Sequence, residues 1–418
     1  MIELRPEQRQ VVDKAKPILL RHGVVYIGGE TRVGKTPAGL ILGKEVGWRK
    51  ILIFTTIKAK PGIDEFIVME PSIQVTITNF EQAHNVVDIG FDGVIVDEAH
   101  KLGKYPKPSL RAKRLKELIG HKPVILMSGT PHPETPSQIY HQFWATGHGP
   151  FLRYKNFYAW CKDYVNVVKR RINGWDVNDY KGAKEADVAF AIQPYMVTLS
   201  QVEAGFTSFV EEEIKVIKID SRIYEVMKIL KKDKIYTTKS GDVILCDSPV
   251  KMQSVFHQLS SGTIKVGEKR IIIDKSKAEF IKHNYYFEKK AIYYQFIAEG
   301  EVLKEIFPNW TSDAAEFNQR KDLVFLSQFV SGREGVNLST ADILIAYNIA
   351  FSATSYWQFK ARIQEKFRTK PAKLIWLFSE RGIENFIYKV VVKKQNYTKQ
   401  FFMKDLKQMG DLSFIFAR

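Results

Sequence analysis

Apolar residues in this chain gather in short continuous runs. Val24-Val25-Tyr26-Ile27, Ile51-Leu52-Ile53-Phe54, Val94-Ile95-Val96 and Val124-Ile125-Leu126-Met127 are the clearest in the first part of the sequence. Runs this short and this apolar predict strands buried on both faces. Ile73 to Thr78 alternates apolar with polar and predicts another strand. Arg5 to Arg21 and Thr36 to Val46 carry helical periodicity. Pro17 is expected to break the first helix late, because it lacks an N–H and its ring crowds the preceding turn. Pro37 sits in a first turn, where proline is tolerated. Strands alternating with helices predict a parallel sheet covered on both faces, with ligands at the carboxyl ends of its strands.

The pattern then changes and returns. Residues 131–215 are rich in aromatics, among them Phe143, Trp144, Phe151, Tyr154, Phe157, Tyr158, Trp160 and Tyr164, with Lys169-Arg170-Arg171 set among them. Helices and irregular segments are expected there. The aromatics either build a core or stack on unpaired bases. Glu211-Glu212-Glu213 leads into the alternating Ile214 to Ile219, a strand and a plausible boundary. Helices at Ser276 to Tyr286 and Ala298 to Ile306 follow, with strands at Ala291–Tyr294, Leu323–Leu326, Ile343–Ala346 and Leu374–Leu377. Two α/β units in one chain imply two lobes with a cleft between them.

Composition narrows the class. A length of 418 residues with 45% hydrophobic side chains leaves room for two or three domains with real cores. No apolar stretch is long enough to span a membrane, and the start, Met1-Ile2-Glu3-Leu4-Arg5, has no signal-peptide character. Cys161 and Cys246 are the two cysteines. They suggest neither a disulfide framework nor a zinc site, and a cytoplasmic location is expected. The net charge of +17 points to a polyanionic partner, most simply nucleic acid, against the plainer reading of a basic surface.

Two motifs carry chemistry. Gly29 to Thr36, Gly-Glu-Thr-Arg-Val-Gly-Lys-Thr, fits the phosphate loop G-x-x-x-x-G-K-[ST] between a strand and a helix. Gly29 and Gly34 allow the tight turn, Lys35 serves the phosphates, and Thr36 offers a hydroxyl to Mg²⁺. Asp97-Glu98-Ala99-His100 closes the run before it. Asp97 would hold the Mg²⁺, Glu98 the attacking water, and His100 would couple the two lobes. ATP and Mg²⁺ are the expected cofactors.

In order, the chain carries Leu4-Arg5-Pro6-Glu7-Gln8, the phosphate loop, Ile77-Thr78-Asn79-Phe80-Glu81, Asp97-Glu98-Ala99-His100 and Ser128-Gly129-Thr130-Pro131. Gln193 to Met196, Gly332 to Leu338 with Ala341-Asp342, and Tyr356-Trp357-Gln358 to Arg362 with Thr369-Lys370-Pro371 follow. This series resembles superfamily 2 helicases, closest to the Snf2-like branch, and its small size is similar to compact bacteriophage-encoded forms. The resemblance covers nearly the whole chain. It implies two RecA-like lobes: residues 1–145, a helical, aromatic-rich insertion at 146–212, and residues 213–418. It implies Gln8 and Arg5 near the adenine, and Ser128 and Thr130 linking hydrolysis to lobe movement and DNA contact. Gly335 and Asn337 would touch nucleic acid or nucleotide, and Arg362 would enter as the arginine finger. The implied activity is an ATP-dependent DNA helicase or translocase. DNA is expected over RNA, the chain as a monomer, with replication or recombination proteins as further partners.

There are departures. Arg32 and Val33 are untypical of the family's phosphate loop, and Glu365 stands where a second arginine is common. The finger is therefore Arg362, Arg368 or a weakened site, and the stretch also reads as a basic solvated helix. Two other classes stay open: a nucleic-acid-binding protein with a weakened motor, and a small-molecule P-loop kinase. Lys101, Lys104, Lys107, Arg111, Lys113, Arg114 and Lys116 form either a phosphate-binding surface or a solvated face.

Overall fold

The computed structural model describes residues 2–30, 33–172, 175–206, 210–329, 338, 340–360 and 372–393. The chain divides into two compact units, residues 1–206 and 207–418.

In the first unit, α1 (Pro6–His22), β1 (Val24–Gly29), α2 (Lys35–Glu45), β2 (Lys50–Thr55), α3 (Lys60–Val68), β3 (Gln74–Asn79), β4 (Gly93–Val96), α4 (Leu110–Ile119) and β5 (Val124–Met127) alternate along the chain. Then come α5 (Ile139–Thr146), α6 (Phe157–Tyr164), β6 (Val168–Ile172), β7 (Trp175–Asp179), α7 (Glu185–Ile192) and β8 (Met196–Leu199). Six strands form one sheet in the order β3-β2-β4-β5-β1-β8, every pairing parallel. The apolar runs are continuous because the sheet is covered twice. Tyr26, Leu52, Phe54, Val94 and Leu126 face one core, and Val25, Ile27, Ile53, Ile95 and Met127 the other.

Pro17 does not break α1, which runs on to a C-cap at left-handed Gly23. Val12, Ala15 and Leu19 are buried on one side of it, while Pro17 itself is exposed. Packing holds the helix, and water can reach the carbonyl that proline leaves unbonded. The aromatic segment is helical as expected, but it also carries the antiparallel hairpin β6–β7. Phe143, Phe151, Phe157 and Trp160 are core residues, so these rings pack on each other.

The second unit holds β9 (Val210–Ile217), α8 (Ser221–Asp233), β10 (Ile235–Thr237), β11 (Val243–Leu245), α9 (Pro249–Leu259), β12 (Thr263–Val266), β13 (Lys269–Ile272), α10 (Ser276–Asn284) and β14 (Lys290–Tyr294). It continues with α11 (Ile297–Ile306), β15 (Trp310–Thr311), α12 (Ala314–Gln319), β16 (Val324–Gln328), β17 (Ile343–Ala346), α13 (Ala353–Lys360), β18 (Ala372–Ser379) and α14 (Glu384–Val391). Its sheet, in the order β15-β16-β14-β17-β18-β9, is again parallel throughout. Two six-stranded parallel sheets flanked by helices make this an α/β chain of two RecA-like lobes.

Candidate nucleotide-binding site

The sheet order brings three motifs together. β1 ends in the phosphate loop, β4 ends in Asp97-Glu98, and β5, which pairs with both, ends at Ser128. All three ends are carboxyl ends of parallel strands, where such sheets bind ligands.

The phosphate loop is braced from the N-terminal segment. Gly34 caps α2 at φ 86°, and a Cβ there would fall 1.8 Å from Gln8 Nε2, so glycine is required twice over. Gln8 Nε2 donates to Gly34 O at 3.3 Å, and an Arg5 guanidinium nitrogen donates to Val33 O at 2.8 Å. Gln8 Oε1 accepts from the Arg5 backbone N–H at 2.9 Å. Arg5 and Gln8, implied by the resemblance to lie near a base, thus make their bonds to the loop itself. Lys35 Nζ donates to Gly29 O at 2.8 Å and Glu30 O at 2.9 Å. Burial lowers its affinity for a proton, against the pull of Glu98, Asp97 and Glu30. Thr36 follows in the first turn of α2.

The acidic pair is held unevenly. Asp97 Oδ2 accepts from Thr55 Oγ1 at 2.9 Å, and Oδ1 from the Glu98 N–H at 3.0 Å. Burial, and then the neighbouring Glu98 charge, push the Asp97 carboxyl above the ordinary range. Burial also opposes the Glu98 charge, but the bond from His100 and the positive charges around it hold Glu98 below that range. Glu98 sits at φ 53°, left-handed. Among the described residues it shares positive φ with one other non-glycine, Lys234. Such a backbone costs on the order of 1 kcal/mol and is kept where surroundings impose it, a common feature of functional sites.

A relay leaves the pair. His100 Nδ1 lies 3.1 Å from Glu98 Oε2 and 3.0 Å from Ser128 Oγ. Ser128 Oγ accepts from the Thr130 N–H at 3.1 Å. Gln142 Nε2 donates to Pro131 O at 2.7 Å, and its Oε1 accepts from Tyr26 OH at 2.8 Å. Thr55 and Gln142 were not legible as site residues. The one trace of Thr55 is a hydroxyl ending an apolar strand.

A divalent ion fits this donor set. One hydroxyl and one carboxylate whose negative charge is under-compensated are oxygen ligands of the kind Mg²⁺ takes alongside phosphate oxygens. Among the described residues no group of three or more His, Cys, Asp or Glu converges as a metal site, and a nucleotide-bound Mg²⁺ needs none.

In the second unit, Gly335, Asn337, Arg362, Glu365 and Arg368 lie outside the described residues. What is described is α13, which follows Gly335 and Asn337 and precedes Arg362, Glu365 and Arg368. Tyr356 OH and Lys360 Nζ, both on α13, donate to Glu212 at 2.7 and 2.5 Å. Trp376 Nε1 and Tyr388 OH donate to the same carboxylate at 2.8 and 3.0 Å. In the sequence Glu212 is the middle member of an acidic triplet. In β9 it anchors a helix.

The basic run after Asp97 is partly committed to the fold. Arg111 pairs with Glu81 at 2.6 Å and Arg114 with Glu117 at 2.9 Å. Lys116 lies 4.2 Å over the Trp144 ring. Lys104, Lys107 and Lys113 are exposed.

The chain matches no protein-family model and no curated protein sequence. Among the described residues, no helix is long and apolar enough to cross a membrane.

Proposed function

We propose that this protein is an ATP-driven motor on nucleic acid, a DNA helicase or translocase, as the resemblance of its motif series implies. One observation carries the reading: Lys35, the Asp97–Glu98 pair and the His100–Ser128 relay converge at the ends of three adjacent strands. A kinase for small molecules needs the first two elements. The relay, which runs from the acidic pair toward Thr130, favours coupling to a second event.

The roles follow from chemistry. Lys35 exchanges its loop carbonyls for phosphate oxygens, and the loop N–H groups and the α2 N-terminus complete the anion site. Thr36 and Asp97 would hold Mg²⁺, which would supply positive charge to the phosphates. Glu98, kept ionised by His100, accepts the proton of the attacking water. A change in the Glu98–His100 bond shifts Ser128 and, through it, Thr130. The resemblance assigns the remaining charge to an arginine, Arg362 or Arg368, and both lie outside the described residues. A place in replication or recombination suits such an output.

The test is ATPase rate with single-stranded, duplex, forked and four-way-junction DNA, and with RNA. Nucleic acid should stimulate the wild type, and Lys35→Ala and Glu98→Gln should each lose about 10²-fold or more. Hydrolysis indifferent to every nucleic acid, or phosphate transfer to a metabolite, would overturn the proposal.

A further inference from the structure

We infer that the β6–β7 hairpin is a binding site for an unpaired nucleic-acid strand, with a base stacked on Trp175 and phosphates held by Lys169 and Arg171; this deepens the motor reading and rests on it.

The hairpin is rigid at its root and open beyond it. Val165 bridges to Ala183, and the Asn166 N–H donates to Gly182 O at 2.8 Å. Thr135 Oγ1 donates to Lys181 O at 2.8 Å and Ser137 Oγ to Tyr180 O at 2.5 Å. The root is therefore fastened to the segment that follows Thr130. Past the root, Val168 to Arg171 and Trp175 to Asn178 are all exposed, so the unit covers neither face. An isolated two-stranded ribbon is marginal in water, and one with two bare faces is suited to a ligand.

The two faces differ. The register pairs Lys169 with Asn178 and Arg171 with Asp176. Alternation puts those four on one face. Val168, Trp175 and Val177 lie on the other, with the Arg170–Asp179 ion pair at 2.6 Å. Trp175 is 78% exposed. An indole this open offers a π face, and the faces of bases are free only in an unpaired strand, because a duplex presents edges. The charge selects nucleic acid. Residues 151–184 hold eight Lys and Arg against three Asp and Glu. A stable protein interface needs roughly 800 Å² per partner, more than one side of so short a ribbon provides. A strand crossing the ribbon edge would put bases on Trp175 and phosphates on the basic face.

The experiment uses the full chain and fluorescent single-stranded DNA, matched RNA and blunt duplex. Trp175→Ala should weaken single-strand binding on the order of 10-fold and leave blunt-duplex affinity unchanged. Trp175→Phe, which keeps a π face, should retain most of the binding. Lys169→Ala with Arg171→Ala should flatten the dependence of log K on log salt by about 1.4. DNA and RNA affected alike assign the site to bases and phosphates in general; an effect on one alone assigns it to that polymer. Wild-type single-strand affinity in Trp175→Ala, or equal loss on blunt duplex, would overturn the inference while leaving nucleic-acid-stimulated ATPase, and so the motor reading, intact. A wild type that binds no nucleic acid would overturn both.

Discussion

In the second unit, Lys277 and Glu384 form a pair at 2.7 Å with side-chain exposures of 1% and 0%. Glu384 also accepts from the Ser379 N–H and hydroxyl, and Lys277 reaches Tyr347 O. Close by in sequence, Asn348 donates to Glu299 and accepts from His257. In the first unit, Asp97 and Glu98 are two carboxylates side by side, with Thr55 and a backbone N–H on one and His100 on the other. The Lys277–Glu384 pair is closed, each charge met by its opposite. The first-unit pair is open and carries surplus negative charge. A closed group holds a fold together, whereas an open one spends stability on a potential that only a ligand can neutralise. Substitutions should therefore act in opposite directions at the two places.

The largest effect belongs to the closed group. Lys277→Met strands the Glu384 carboxylate in a dry interior and should destabilise the second unit by about 3–5 kcal/mol. Adding Glu384→Leu should recover much of that loss, since well-packed apolar pairs often equal a buried ion pair. Chemical denaturation of the two variants measures both quantities. If Lys277→Met cost less than about 1 kcal/mol, the pair would not be closed in the sense argued.

The open pair should respond the other way. Asp97 has its folded pKa above its unfolded one, so its contribution to stability is full below the ordinary carboxylate range and is lost as pH rises through the folded value. At neutral pH the ionised group is a cost. Asp97→Asn should then stabilise the ligand-free protein at pH 7–8 by on the order of 1 kcal/mol, with the gain fading toward pH 4, while ATPase activity is lost. Thermal midpoints against pH follow this. Magnesium and nucleotide should narrow the gap by binding the wild type alone. An Asp97→Asn protein less stable than wild type at pH 7.5 would show that the carboxylate is structural.

What the sequence disclosed follows the same division. Strands buried on two faces announce themselves as apolar runs, and the phosphate loop is contiguous, so both were legible. Lys277 and Glu384 are 107 residues apart, and each alone reads as a surface charge. Glu212 was hidden for a related reason: an acidic triplet looks solvated until Tyr356, Lys360, Trp376 and Tyr388 close around its middle member. The β6–β7 hairpin escaped because a ribbon bare on both faces has no burial period to read. Pro17 misled because the proline rule describes a helix in isolation, and α1 is held by its packed side.

Between closed and open lies the solvent-exposed pair, and it has the smallest effect. Arg111 and Glu81 pair at 2.6 Å with side-chain exposures of 46% and 62%. Water screens such a pair, and the ordering of two long side chains offsets what remains, so Arg111→Ala should change stability by less than about 0.5 kcal/mol. Its value lies in a second readout. If the run from Lys101 to Lys116 is only a solvated face, nucleic-acid affinity in Arg111→Ala should keep the wild-type salt dependence. If the run tracks a duplex backbone, the slope of log K against log salt should fall by about 0.9 for the one phosphate lost. The exposed Lys113, two residues on, should behave alike in the second case. A stability loss above about 1 kcal/mol would instead place Arg111 with the closed groups and break the ordering by exposure.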